Sequence, residues 1–114
     1  MIKFVVQFRH PANIDNFENA YNDFLALVEG MPNIQRRQVV HITGSPIGQS
    51  AYYRAMELYF ASVDAMRAAL MSPSGQEAGN ELSRFEQDKI EVFFAEVFEE
   101  AGGSTPQPDN MPDS

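Results

Sequence analysis

The chain has 114 residues, 44% hydrophobic and 11% aromatic, which fits one domain around a single core and sets disorder of the bulk aside. A formal net charge of −8 opposes binding to nucleic acid or anionic membrane surfaces, since both depend on Lys and Arg neutralising phosphate. Without cysteine there are no disulfides and no Cys-based zinc or iron sites, and the start "MIKFVVQFRHP" is too short in apolar residues to span a bilayer and carries no cleavage signal, so a soluble cytoplasmic protein is expected, with no membrane or nucleic-acid partner.

The stretch "IKFVVQF" reads as a first strand, with Ile2, Phe4, Val6 and Phe8 on one wholly apolar parity and Lys3, Val5, Gln7 and Arg9 on a mixed one. His10-Pro11 ends it, because proline gives a sheet no N–H. Asp15 with Glu18 three residues on has the form of a capping box, and Ile14, Phe17, Tyr21, Phe24, Val28 and Met31 recur at helical spacing, so a helix is expected over about 16–29. Gly30 is expected to supply a left-handed cap and Pro32 to forbid continuation.

"NIQRRQVVHIT" gives a second strand, with Ile34, Val40 and Ile42 on the apolar parity and Arg37, Val39 and His41 on the mixed one. "GSPIGQSA" is loop material, and "YYRAMELYF" is a third strand joined to the second as a hairpin, with Met56, Leu58 and Phe60 against Tyr53, Ala55, Glu57 and Tyr59. Ser62 suits the cap of a second helix through about Met71. Pro73 then disfavours a helical Ser72 yet fits the first turn of a new helix, which predicts a break and a restart carrying Ala78, Leu82 and Phe85. "KIEVFFAEVF" supplies a fourth strand with a solvated end at Glu96, Glu99 and Glu100. Beyond a folded unit over residues 1–100, residues 101–114 turn polar and rich in Gly and Pro and read as a tail.

The order β-α-β-β-α-β is the split βαβ arrangement of a ferredoxin-like α+β fold, a four-stranded antiparallel sheet with the helices on one face. Val5, Val39, Tyr53, Tyr59 and Phe93 are expected on the other face, too apolar a set to leave in water, so a homodimer closing two sheets into a dimeric α/β barrel is predicted. On the same reasoning the inter-sheet space receives Gln7, Arg9, Arg37, His41, Tyr53, Glu57 and Tyr59. The expected hairpin register sets His41 opposite Tyr53, a pair suited to proton transfer, and Arg37 opposite Glu57, an ion pair or anion anchor. An Arg facing a Glu is more often a cross-strand pair than a substrate clamp, and a strand-end histidine is more often a rim residue than a catalyst. His10, before a proline at a loop mouth, carries less weight.

Several chemistries fall away. "GSPIGQS" has no lysine and makes a poor phosphate loop. The two histidines lack helical spacing, so a bound transition metal is not expected, and no G-x-S-x-G hydrolase signal occurs. No cofactor is expected either.

The strings "MIKFVVQF", "MPNIQRRQV", "YYRAMELYF" followed by "SVDAMRAALMSPSGQEA", and "KIEVFFAEV", in that order over about residues 1–98, together resemble the EthD family of dimeric α/β-barrel proteins. The resemblance implies a ferredoxin-like protomer that dimerises sheet to sheet, within a wider group that includes cofactor-free monooxygenases, muconolactone isomerase-like enzymes, dehydratases and cyclases. Many members carry a histidine in helix one within Y-x-x-x-H-x-P-L. Aligned back from "MPNI", that histidine falls at Phe24, the proline at Ala26 and the leucine at Leu27, while the tyrosine falls at Ala20, one place from Tyr21. The family's acid/base is therefore absent.

The expectation is an EthD-like homodimer that binds a small, mostly apolar molecule, aromatic or carboxylate-bearing. As a cofactor-free enzyme it would use His41 or Glu57 as base, Tyr53 or Tyr59 as hydrogen-bond donor, and Arg37 or Arg9 as anchor. Gln7, Tyr21 and Phe24 complete the predicted ligand contacts. The alternative is a non-catalytic accessory or binding protein.

Overall fold

The computed structural model describes residues 1–102, so most of the predicted tail lies outside the described residues. Strand β1 (Ile2–Arg9) runs through the middle of a four-stranded antiparallel sheet in the order β2-β3-β1-β4, with β2 at Arg36–His41, β3 at Tyr52–Phe60 and β4 at Ile90–Glu96. This is the expected split βαβ order, and the parity of β1 holds. Phe4, Val6 and Phe8 pair with Leu58, Met56 and Arg54, and this side of the sheet meets the helices.

Helix α1 (Ile14–Val28) starts two residues earlier than expected, because Asn13 and not Asp15 is its cap, accepting a hydrogen bond from the Asn16 amide at 2.9 Å. Phe17, Tyr21, Phe24, Val28 and Met31 are buried on one stripe, whereas Ile14 is left exposed. Gly30 has no left-handed backbone; the positive φ falls on Asn33, at 69°, in the turn before β2. A Cβ at position 30 would come within 2.6 Å of Ser74 Oγ and oblige that side chain to shift.

Ser62 caps helix α2 (Val63–Met71), and Ser72 caps helix α3 (Pro73–Glu81), whose first residue is Pro73, as expected from the break. The joint is tight: a Cβ on Gly75 would meet the backbone oxygen of Leu70 at 2.8 Å and run into that of Ala69. Two short 3-10 turns (Leu82–Arg84 and Gln87–Lys89) lead into β4. Phe85, between them, packs against Phe8 with ring centroids 4.8 Å apart.

The helices cover the two central strands and leave the helix-side faces of both edge strands partly open, with Val39 on β2 and Val92 and Phe94 on β4 exposed. Among the described residues no helix is long and apolar enough to cross a membrane.

Candidate functional site

Two departures from expected register decide which side chains meet. The hairpin between β2 and β3 is offset by one residue from the predicted pairing: Arg37 faces Leu58, Val39 faces Met56 and His41 faces Arg54. A one-residue offset carries a whole strand to the other side of the sheet, so Arg37, Val39 and His41 lie on the helix face and not in an inter-sheet space. The second departure is a bulge where β1 passes Phe8 to Arg9, which leaves Tyr53 as the extra residue between Arg54 and Tyr52. Tyr53 thereby turns toward α1, its ring 5.4 Å from that of Phe17. Neither predicted pair, His41 with Tyr53 or Arg37 with Glu57, forms across the ladder.

These departures assemble a polar cluster that the sequence reading missed. Arg54 stands among buried core residues at only 7% exposure. Its Nη1 and Nη2 donate to Glu18 Oε1 and Oε2 at 2.8 and 2.9 Å, a bidentate pair from strand to helix. The guanidinium carbon lies 4.7, 5.1 and 5.3 Å from the ring centres of Tyr21, Tyr53 and Phe17, an aromatic cage that suits a planar cation. The Tyr53 hydroxyl donates to Glu18 Oε2 at 3.3 Å. The hydrogen bonds from Arg54 hold the Glu18 carboxyl below the usual carboxylate range against the opposing effect of burial, with the charge of Arg54, the Tyr53 hydrogen bond and the charge of His41 adding to it. Burial pushes the Tyr21 hydroxyl up to about 12. Two buried polar atoms of the cluster, Arg54 Nε and Tyr21 Oη, have no hydrogen-bond partner among the described residues.

The helix-side face of β2 runs from this cluster toward the end of α1. At its far end Arg37 Nη2 lies 3.3 Å from Glu29 Oε2, and Val28, Met31 and Ile34 join these two around a recess of about 380 Å³. His41, facing Arg54 in the ladder, marks the near end, and the exposed Val39 lies between it and Arg37 on the same face of β2. This strip is thus aliphatic at Val39 and polar at both ends.

The open face of the sheet holds the remaining predicted residues. Glu57 accepts from Tyr59 Oη at 3.1 Å and lies 3.4 Å from Lys3 Nζ. Tyr59 Oη is also 3.1 Å from Gln38 Oε1, and Arg36 stacks over the Tyr59 ring at 4.4 Å. Gln7 faces Ala55 and Glu91 in the ladder, while Arg9 lies 3.6 Å from Glu91 and over the Tyr52 ring. Of the apolar set expected here, Val5, Tyr59 and Phe93 are present, Val5 and Tyr59 already buried within the protomer. Val39 and Tyr53 belong to the helix side. Glu57 and His41 therefore lie on opposite faces of the sheet and cannot serve one substrate.

Phe24, at the position where the family resemblance would place a histidine, points into the core. Together with Phe4, Val28, Met31, Leu70 and Gly79 it lines an apolar cavity of about 40 Å³. A benzene-sized ligand needs roughly 150 Å³, so this space accepts no substrate while Phe24 fills it.

Arg54 and Glu18 had a legible signal and a masked one. Extending the parity of Met56, Leu58 and Phe60 back by two residues puts Arg54 on the core face, a rare place for one of eight basic residues. Glu18 was masked because its spacing from Asp15 matches a capping box.

No protein-family model and no curated protein sequence matches the chain. Solved structures do. An ethyl tert-butyl ether D (EthD) family protein from Bacillus halodurans superposes with a TM-score of 0.80 at 23% identity, over 86% of this chain and 99% of that one. A hydroxynitrile lyase from Passiflora edulis gives 0.69 at 19% identity over 89% and 96%. SnoaB, a cofactor-independent oxygenase from Streptomyces nogalater, gives 0.62 at 18% identity over 87% and 94%. Further structures of this kind, from Bacteroides fragilis and Jannaschia sp., are described as dimeric ferredoxin-like proteins. The chain therefore has the ferredoxin-like α+β fold of an EthD family protein, a fold on which proteins with different reactions are also built.

Proposed function

We propose that this protein is an EthD-like small-molecule-binding protein that works as a homodimer, and that its ligand, a small apolar or aromatic compound, lies in a groove between α1 and β2. The observation that carries this reading is the exposed strip of β2 along which the groove would run: Val28, Met31, Ile34 and Arg37 around the recess at one end, Val39 in the middle, and His41 facing Arg54 of the Glu18–Tyr53 cluster at the other. A few fixed polar groups around apolar walls are what small-molecule sites generally offer. Native mass spectrometry of the purified protein is expected to show a dimer that retains a small molecule, and Val39→Asp is expected to release it. A dimer whose ligand is retained equally by Val39→Asp would remove the groove from consideration.

A second reading, a cofactor-free enzyme, draws support from Tyr53 and His41 lying on the same face as the groove, and from the lyase and the oxygenase built on this fold. In that case His41 would move the proton and Tyr53 would donate to a developing oxyanion, with Glu57 excluded by its position on the opposite face. His41→Ala and Tyr53→Phe would then each reduce turnover by about a hundredfold or more. Unchanged turnover in both variants would leave the binding reading alone.

A further inference from the structure

We propose that the Glu18 carboxylate is an internal stand-in for a ligand carboxylate, and that a small carboxylate compound binds by displacing it from Arg54 and Tyr53. The inference rests on the groove reading, since the apolar part of such a ligand would lie over Val39.

Glu18 already accepts what a bound carboxylate would ask for. It takes two parallel guanidinium hydrogen bonds and one from a phenol, at 2.8, 2.9 and 3.3 Å. The two partners differ in how firmly they are held. The Arg54 side chain is 8% exposed, clamped among three rings, and has nowhere else to go. The Glu18 side chain is 36% exposed on the surface of α1, and a turn about its side-chain torsions returns it to water. Exchanging one carboxylate for another at Arg54 leaves no buried charge unpaired, while the released glutamate is hydrated.

The two orphaned atoms point the same way. Arg54 Nε is a donor, Tyr21 Oη is a donor or an acceptor, and both are buried without a partner among the described residues, the Tyr21 ring lying 4.7 Å from the guanidinium carbon. Buried groups left unsatisfied are costly, and they mark places where a further polar atom belongs. Glu18, tethered to its helix, satisfies the two terminal nitrogens of Arg54 and not Nε. A free ligand carboxylate is not tethered and can settle where it also reaches Nε.

The test uses the full-length protein with sodium benzoate and, as a neutral counterpart, benzyl alcohol. Binding is read by calorimetry and by the Arg54 Nε–H resonance. Benzoate is expected to bind the wild type saturably and to shift that resonance. Glu18→Gln, which keeps the shape of the side chain but removes the competing charge, is expected to tighten benzoate by about tenfold, because the competent state is no longer the minor one. Glu18→Asp, which keeps the charge but shortens the reach, is the second variant and tightens benzoate by a smaller factor. Tyr53→Phe weakens it, and benzyl alcohol is indifferent to all three substitutions.

Benzoate affinity unchanged or weakened in both Glu18 variants overturns the proposal. If benzyl alcohol still binds in the groove, judged by its loss in Val39→Asp, the groove reading survives that failure. If neither probe binds any variant, both readings fall.

Discussion

The two faces of the sheet hold their charges in opposite ways. On the helix face Arg54 is locked among aromatic rings and answered by one carboxylate from another element, in a bidentate pair. On the open face Lys3, Glu57, Tyr59 and Gln38 form a chain along neighbouring strands through single contacts of 3.1 to 3.4 Å, with Arg36 stacked over the Tyr59 ring and solvent at the margins. Water reaches both charges of the Lys3–Glu57 pair, whose side chains are 29% and 20% exposed, whereas it scarcely reaches the Arg54 guanidinium, at 8%. Polar density on a sheet face thus says little about its energetic weight; access to water decides it.

The largest effect should come from unpairing the first network. Glu18→Ala strands the Arg54 guanidinium and is expected to cost about 3 kcal/mol in urea unfolding, whereas Arg54→Met, which frees Glu18 into solvent and refills the cage, should cost about 1 kcal/mol. The contrast between the faces breaks if Arg54→Met is the more damaging. The pH dependence sharpens it. Because the folded carboxyl titrates below its ordinary value of 4.5, the stabilisation that separates wild type from Glu18→Gln is present above that value and fades as pH falls through the lower folded one. A difference that instead grew below pH 4 would contradict the ion pair.

On the open face the expected loss is in assembly. Phe93→Arg, at a half-exposed position on that face, should weaken the proposed dimer by about 2 kcal/mol or more and bring the light-scattering mass toward 12.8 kDa at micromolar concentration. Glu57→Gln should change unfolding stability by about 0.5 kcal/mol or less, since its contacts stay within reach of water. Smallest of all is Tyr21→Phe, which removes a buried hydroxyl with no partner among the described residues and is expected to leave stability within about 0.3 kcal/mol of wild type, on the stabilising side. The same variant should lose only the part of the tyrosinate absorbance that develops near pH 12.

The fold was legible in the sequence because its main signals are strong and mutually consistent. The parity of β1 and most of β3 is unambiguous, Ser62 and Ser72 announce helices α2 and α3, and Pro73 marks the break between them. The site was less legible because the residues that position it sit where those signals weaken. Strand β2 is an edge strand with neither side fully buried, and Val39 and Val40 are apolar neighbours of opposite parity, so burial cannot choose between the two registers. The bulge at Tyr53 follows no hydrophobic alternation at all. Even so, the burial of Phe24 followed from the apolar stripe of α1, and the cavity that it lines is only about 40 Å³.

That bulge separates what the sheet must conserve from what the site can vary. Pairing between β1 and β3 runs without interruption from Ile2 with Phe60 to Phe8 with Arg54, and only beyond that point does the extra residue enter. Changes at Tyr52, Tyr53 or the hairpin behind them therefore alter what α1 is shown without disturbing the rungs that hold the core. For anyone wishing to redesign ligand preference, this is a hinge between a fixed frame and an editable rim: the residues between Ile42 and Ser50 can be changed as a module, while Tyr52 and Tyr53 still tie the rim to Arg9 and Ile42.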